Sequence, residues 1–143
     1  MKPSSRFTVA IHVLTLLAQG EDGGDPLTSE RIAGSVNTNP VVIRRLLATL
    51  REAGLVRSQG GPGGGWSLVT PAGRLSLAEV FRVVEDEPLF PLHPATPNPR
   101  CPVGRSIQAA LTPRYARARE AVERDLGRTT IADLLAEVRA RTT

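Results

Sequence analysis

The residues best suited to chemistry in this sequence are two adjacent arginines, Arg44 and Arg45, which follow a short polar stretch. A guanidinium group can bind a phosphate or the edge of a guanine through two parallel hydrogen bonds. Helical spacing places both arginines on one face with Val41 and Ala48. This face carries no carboxylate before Glu52. The pattern predicts a helix whose first turns enter the major groove of DNA.

A glycine-rich loop follows this helix, between two short apolar runs. The runs are residues 55–58 and 66–69, and the loop, residues 60–65, consists of five glycines and Pro62. Two such runs around a glycine loop predict a β-hairpin, and a hairpin just after two paired helices is a wing. Its bare tip would let backbone approach a phosphate or enter a minor groove. A nucleotide-binding P-loop is not expected, because Trp66 stands where that motif needs Lys.

The single cysteine, Cys101, is the other group with potential chemistry. It precedes Pro102, which predicts a position at the cap of a following helix. A helix N-terminus favours negative charge, and Arg100 and Arg105 are near in sequence, so this setting increases thiol reactivity. Cys101 is therefore a candidate redox- or electrophile-sensing thiol. The alternative is a buried cap whose sulfur only packs.

No other reactive cluster can be assembled from the sequence. It offers no nucleophile–base pair, no pair of carboxylates and no set of metal ligands, so we expect no enzyme, no metal site and no cofactor. His12 falls on the polar stripe of a helix, and His93 lies in a proline-rich loop without partners at metal-ligand spacing. Iron–sulfur clusters are usually held by several thiolates, and one cysteine is too few.

Two helices joined by a tight polar turn must position the arginines, as a helix-turn-helix. Thr28 is the predicted cap of the first helix. The second begins with Asn39 as cap and Pro40 at its first position. Its predicted inner face is Ile43, Leu46, Leu47 and Leu50. The predicted DNA contacts are Thr28, Asn37, Thr38, Asn39, Val41, Arg44, Arg45, Arg57, Ser58, Gln59, Gly61, Gly63 and Gly64.

Further helices are predicted on both sides of this unit. An amphipathic helix runs from about Arg6 to Ala18, and another opens after the wing with a capping box of Ser76 and Glu79 and runs to about Glu85. Prolines at positions 88, 91, 94 and 97 then recur once per turn of a polyproline helix. This spacing predicts a stiff spacer, and a docking site for a proline-reading partner is the alternative.

A long helix after Cys101 is the predicted dimer interface, although Pro113 predicts a kink or a restart within it. Its apolar residues recur at spacings of three and four, close to a coiled-coil seam. A second copy of the same helix would bury this stripe; packing on its own domain is the alternative. Thr130 and Asp133 cap a last helix. The predicted dimerisation residues are Val103, Ile107, Leu111, Tyr115, Ala118, Val122 and Leu126.

The predicted fold class is mainly α with a small β-hairpin wing, a winged helix-turn-helix plus a long C-terminal dimerisation helix. We expect residues 1–85 to form the DNA-binding domain, residues 86–100 a proline-rich linker, and residues 101–143 the dimerisation helix and the C-terminal helix. A length of 143 residues suits one domain with an accessory element.

Charge and cysteine content agree with this expectation. The chain has a net charge of +4, and residues 36–78, with five arginines and one glutamate, carry the same net charge, as a DNA-binding surface requires. A single cysteine suggests a reducing compartment. The apolar N-terminal run has a polar stripe and no cleavage site of small residues, so it is not a signal peptide, and it is too short to span a bilayer. We expect a cytoplasmic protein without a membrane partner.

Four stretches resemble the Rrf2 family of bacterial winged-helix regulators, which includes the iron–sulfur cluster regulator and the nitric-oxide-sensing repressor. They are the helix Arg6–Ala18, the run RRLLATLREAGLV over residues 44–56, the wing GPGGGW over residues 61–66, and the helix over residues 77–85. Residues 98–104, NPRCPVG, further resemble a cluster-free branch of that family.

The resemblance implies a homodimer on a near-palindromic operator, usually acting as a repressor. It implies that residues 37–45 contact the major groove of double-stranded DNA and that residues 58–66 contact the minor groove. Two departures stand out. Cluster-binding members carry three cysteines near the start of the dimer helix, whereas this chain has Cys101 alone, and an arginine often precedes the wing motif where Gly60 stands here. Gln59 or Arg57 would have to replace that arginine.

One alternative function stays open, a winged-helix module that docks another protein and binds no DNA. Its expected signature is an apolar outer face on the second helix, for which Val41 and Val42 are the only hint.

Overall fold

The computed structural model describes residues 4–21 and 23–142, and these form six α-helices and one two-stranded antiparallel hairpin. The predicted fold class, mainly α with a small β-hairpin wing, is thereby confirmed. The elements are α1 (Arg6–Ala18), α2 (Ser29–Val36), α3 (Pro40–Glu52), β1 (Val56–Gln59), β2 (Gly65–Leu68), a 3-10 turn (Ala72–Arg74), α4 (Leu77–Val84), α5 (Pro102–Leu126) and α6 (Ile131–Arg141). Within the described ranges, no helix combines the length and apolar character needed to cross a membrane.

The helices begin where short polar side chains can cap them. The Thr28 hydroxyl accepts a hydrogen bond from the Arg31 amide at 3.2 Å, and Ser76 accepts from the Glu79 amide at the start of α4. Thr130 and Asp133 form a reciprocal capping box at the start of α6. Such a cap contributes about 1 kcal/mol to helix stability, and it depends only on residues adjacent in sequence.

The hydrophobic core forms around α1. Val13 and Leu14 are fully buried there, together with Ile43 and Leu47 on α3 and Val80 on α4. Burial of each large aliphatic side chain stabilises the fold by about 1.5–3 kcal/mol. The inner face predicted for α3 is therefore correct, and this helix packs on α2, β1 and α4 with its opposite face turned outward.

Helix α6 joins this same core. Ile131 is fully buried and Leu135 nearly so, and the helix packs on α1 and the 3-10 turn. The Ile131 amide donates to the Leu75 carbonyl at 2.9 Å, and the Leu77 amide donates to the Thr129 carbonyl at 2.9 Å. The sequence-based division grouped α6 with the dimer helix; in the structure its apolar face packs with the N-terminal unit, where a buried surface was available to cover it.

Helix α5 runs through Pro113 without the restart that the sequence suggested. A proline leaves the carbonyl four residues earlier without its usual donor. On either side of that carbonyl, the Thr112 hydroxyl donates to the Gln108 carbonyl and the Arg114 guanidinium to the Ala110 carbonyl, both at 2.8 Å. None of the 25 residues of α5 is buried.

Candidate nucleic-acid interface

The turn between α2 and α3 depends on a left-handed residue. Asn37 adopts φ 65° and ψ 55°, and its amide donates to the Ala33 carbonyl at 2.8 Å. The Thr38 amide donates to the same carbonyl at 3.0 Å. Asparagine tolerates this conformation better than most residues with a Cβ. Asn37 therefore sets the relative direction of the two helices, and its exposed side chain remains available to a ligand.

Two of the predicted DNA contacts already serve as caps. The Asn39 Oδ1 atom accepts a hydrogen bond from the Val41 amide at 2.8 Å, and the Thr28 hydroxyl oxygen accepts from the Arg31 amide. Asn39 keeps its amide NH₂ group for a ligand, and Thr28 keeps its hydroxyl proton. Both residues can therefore act toward DNA chiefly as hydrogen-bond donors.

The outward face of α3 is open at its N-terminal end. Val41 and Val42 are 45% and 47% exposed, and Arg44 and Arg45 are exposed beside them. The methyl groups of valine suit apolar contact with the methyl group of thymine. Val41, Arg44 and Arg45 of the predicted face are thus all exposed on the N-terminal half of α3.

The two arginines have different surroundings. The Arg44 Nη2 atom lies 2.8 Å from Oε1 of Glu30 on α2, and both side chains are more than half exposed. Hydrogen bonding from its own backbone amide, and then from Arg44, holds the pKa of Glu30 below its ordinary value. Water screens such a pair, so it contributes little stability. It does offset part of the Arg44 charge, and sequence reasoning did not include Glu30 in the site.

Arg45 has no carboxylate partner within the described part of the chain and points to the other side of α3, toward the start of α1. Because consecutive helical residues are separated by about 100°, adjacent arginines need not share an environment. The sequence predicted both arginines on one face. Their different surroundings arise from the neighbouring helices, because Arg44 lies beside α2 and Arg45 beside the start of α1.

The wing has the predicted hairpin geometry. Ser58 pairs with Trp66 and Gln59 with Gly65. Gly61 and Gly63 have φ values of 80° and 75°, and a Cβ on Gly64 would collide with the Gln59 carbonyl oxygen. Arg57, Ser58 and Gln59 are exposed on β1, and the Arg57 Nε atom lies 3.4 Å from the Ser67 hydroxyl across the hairpin.

The base of the wing is attached to the helix-turn-helix. The Trp66 amide donates to the Leu27 carbonyl at 2.7 Å, and the Leu27 amide donates back at 3.1 Å. This approach needs Gly65, because a Cβ there would lie 2.5 Å from the Leu27 carbonyl oxygen. The Arg51 guanidinium lies 5.5 Å from the centre of the Trp66 ring. These contacts connect the wing to the start of α2 and the end of α3, and sequence reasoning missed both.

Cys101 caps α5 as predicted, but it is exposed, so the interpretation as a buried cap is wrong. Its sulfur accepts a hydrogen bond from the Gly104 amide at 3.4 Å. Its own amide donates to the Asn98 carbonyl at 3.1 Å. The thiol is therefore accessible at the junction of linker and helix.

The predicted dimer stripe on α5 divides into two parts. Toward the N-terminus Val103 is 67% exposed and Ile107 38% exposed. Toward the C-terminus the helix packs on α4, where Arg82 and Glu123 form a 2.8 Å ion pair and Arg119 lies 4.9 Å from the Phe81 ring centre. Val122 is exposed as well, and the remaining stripe residues, Leu111, Tyr115, Ala118 and Leu126, are half-buried.

Comparisons with known proteins agree with this geometry. The family model described as "Rrf2: Iron-dependent Transcriptional regulator" matches residues 3–137. The chain is 41% identical over 133 residues to YwnA of Bacillus subtilis, provisionally named an HTH-type transcriptional regulator, and the match covers 92% of this chain and 96% of that protein.

Two solved structures are similar over nearly the whole chain. One, provisionally named a DNA-binding protein, has 38% identity and a TM-score of 0.73, with 92% of this chain and 99% of that chain covered. The other is CymR, the global cysteine regulator of B. subtilis, with 26% identity and a TM-score of 0.70, covering 96% of this chain and 98% of that one.

The iron in the family description has no matching donor set here. Within residues 4–21 and 23–142, no group of three or more His, Cys, Asp or Glu side chains could hold a metal ion. The whole sequence contains one cysteine, whereas clusters are usually held by several thiolates. The residues present do not fit an iron–sulfur cluster.

Proposed function

Because the chain belongs to the Rrf2 family of transcriptional regulators, we propose that it acts in the cytoplasm as a homodimeric repressor on a near-palindromic operator. The chain is a DNA-binding regulator of the winged helix-turn-helix class. The proposal adds the repression, the dimer, the operator symmetry and the residues responsible.

One observation carries the assignment of DNA contacts to α3. The helix buries Ile43, Leu46 and Leu47 and leaves two valines and two arginines exposed on its N-terminal half. This combination matches what a base-reading helix needs, with apolar groups for thymine methyls and guanidinium groups for guanine edges and phosphates. Val41, Arg44 and Arg45 supply these groups, and Asn37, Thr38 and Asn39 add donors at the helix start.

The wing supplies a second contact in this proposal. The bare backbone at Gly61, Gly63 and Gly64 approaches the sugar–phosphate chain, and exposed Arg57, Ser58 and Gln59 on β1 supply side chains. Support comes from the attachment of Trp66 to Leu27, because a wing held at its base can contact DNA together with α3.

The dimer is proposed to form through α5. The exposed apolar residues at Val103, Ile107 and Val122 support this interface, and the half-buried stripe residues between them continue it. In a two-fold dimer each copy would present one α3 to DNA, so operator half-sites should be related by the same symmetry.

The test begins by selecting duplexes from a random library with the wild-type protein. A palindromic consensus is expected. Affinity for that duplex is then measured against salt for wild type, Arg44→Ala, Arg45→Ala and, as a charge-matched control on α6, Arg139→Ala. Each lost phosphate contact should lower the salt slope by about 0.9. Equal binding by all four proteins would exclude α3 from the interface, and selection of no duplex would favour a protein-docking module that uses Val41 and Val42.

A signal input through Cys101 is a second part of the proposal, supported by the exposure of the thiol at the linker–α5 junction. The thiolate would add to the double bond of an electrophile such as N-ethylmaleimide, whose adjacent carbon then takes up a proton. Operator affinity should change on verified alkylation of the wild type and stay constant in Cys101→Ser. Unchanged affinity of the alkylated wild type would assign the signal to another site.

A further inference from the structure

A notch lies between the start of α1 and one side of α3. Its volume is about 430 Å³, and none of the described residues that line it is a carboxylate. Guanidinium and hydroxyl groups are among the side chains with which proteins contact DNA phosphates. The polar lining consists of two arginines and four hydroxyl residues, Arg6, Arg45, Ser4, Ser5, Thr38 and Thr49.

Arg6 is held in place on the α1 side of this notch. Its Nη2 atom donates to the Thr49 hydroxyl at 3.1 Å, a half-buried contact between residues 43 positions apart. Thr49 in turn donates to the Arg45 carbonyl at 3.3 Å. A hydroxyl partner leaves the guanidinium charge intact, and an arginine has further N–H groups to donate. Arg6 thus presents a full positive charge, whereas Arg44 faces Glu30 at 2.8 Å.

The notch flanks the face of α3 that the proposed function places in the major groove. Val42, Arg45 and Thr49 recur at spacings of three and four, which makes one stripe along the helix. Arg44 lies about 100° around the helix from Arg45. The two strands of phosphates border the groove on either side of an inserted helix. A phosphate on one border would therefore approach this stripe.

We infer that the notch binds a phosphodiester of the DNA backbone, with Arg6 and Arg45 as its charged donors. The inference rests on DNA binding by α3 and adds Arg6, a residue of α1, to the interface. Such a contact is independent of base sequence and sensitive to salt. Arg44, with part of its charge offset by Glu30, contributes a smaller salt dependence.

The first measurement is the salt slope of binding for Arg6→Gln, Arg45→Gln and the double variant. It uses the selected duplex and a random duplex of equal length. A dimer that loses this phosphate contact in each of its two copies should show a salt slope lower by roughly 2, on the selected duplex and on the random one. Because the two arginines share one phosphate, the double variant should show this full loss of slope and each single variant only part of it. Arg6→Lys keeps the charge and should retain most of the slope, and Arg139→Ala controls for loss of one positive charge.

The second measurement replaces single phosphates of the selected duplex by uncharged methylphosphonates. Its reference is the effect of each replacement on binding by the wild-type protein, which does not depend on whether a variant folds. One position beside each half-site should weaken wild-type binding. The same position should have a smaller effect in Arg6→Gln and in Arg45→Gln, and none in the double variant. Wild-type slopes in both variants, or an undiminished effect of that position, would overturn the inference and leave DNA binding by α3 standing. Failure of the wild type to bind any duplex would instead refute the proposed function itself.

Discussion

The winged-helix unit buries its large apolar residues in a core, whereas α5 leaves its apolar residues exposed or half-buried. Helices α1–α4 and α6 converge on one core that contains fully buried Leu14, Leu47 and Ile131. Helix α5 is the longest element described, yet none of its residues is buried. The ring centres of Phe90, in the linker, and Tyr115, on α5, are 5.3 Å apart, but this contact does not bury Tyr115. The first region buries its apolar residues through its own contacts, whereas α5 leaves apolar residues exposed in the single chain.

Under the proposed dimer, this difference assigns stability and assembly to different parts of the molecule. Substitutions in the core should lower the free energy of unfolding of each copy. Substitutions on the open part of α5 should change the association of copies while each copy stays folded. The C-terminal part of α5 connects the two regions through Arg82 and Glu123.

The largest effect on the stability of the single chain is expected for Ile131→Ala on α6. The side chain is fully buried, so its truncation should lower the free energy of unfolding by about 2–5 kcal/mol. Chemical denaturation monitored by circular dichroism measures the change. Val138→Ala, at an exposed position of the same helix, should stay within about 0.5 kcal/mol of wild type. Equal effects of both substitutions would show that α6 does not belong to the core.

Ile107→Glu on α5 tests the other side of the comparison. Two charges placed in a buried dimer seam should weaken dimerisation by about 3–5 kcal/mol. Analytical ultracentrifugation should show a monomer. Its helix content and melting temperature, measured by circular dichroism, should resemble those of the wild type diluted until it is monomeric. Ala109→Glu, at an exposed position off the stripe, should remain dimeric. A dimeric Ile107→Glu variant would place the interface elsewhere.

Gly65→Ala tests whether the wing belongs to the self-contained region. The added Cβ would meet the Leu27 backbone, and φ at this position is 149°. The expected loss is about 1–3 kcal/mol of stability, with faster amide exchange in β1 and β2. Gly60→Ala meets open space at negative φ and should be neutral or slightly stabilising. Similar exchange rates in both variants would mean that the pairing of Leu27 with Trp66 does not hold the wing.

The smallest effect concerns the exposed pair between α2 and α3. The Glu30 pKa is held below its ordinary value of 4.5 by its own backbone amide and then by Arg44. Its contribution to stability is present above pH 4.5 and is lost as the pH falls through the lower folded-state pKa. In an NMR titration, Arg44→Ala should raise the Glu30 pKa without restoring it fully, because the backbone hydrogen bond remains. An unchanged pKa would show that the arginine does not contact this carboxylate in solution.

The sequence by itself determined the elements whose causes are local. Thr28, Asn39 and Ser76 mark helix starts because each cap joins atoms two or three residues apart. The limits of α1 and the inner face of α3 could be predicted from helical periodicity. The turn of the wing could be predicted from its glycines, because the turn needs residues with positive φ. The outward arginines of α3 could be predicted for the same reason.

Only the tertiary structure decided how these elements meet. The pairing of Leu27 with Trp66, the ion pair of Arg44 with Glu30, and the burial of Ile131 against α1 join distant positions of the chain. The position of Arg6 beside α3 is of the same kind, since a contact across 43 residues has no local signature. Such contacts depend on the angles at which helices pack, and these angles are set by the whole core, whereas a cap or a turn is set by the few residues that form it.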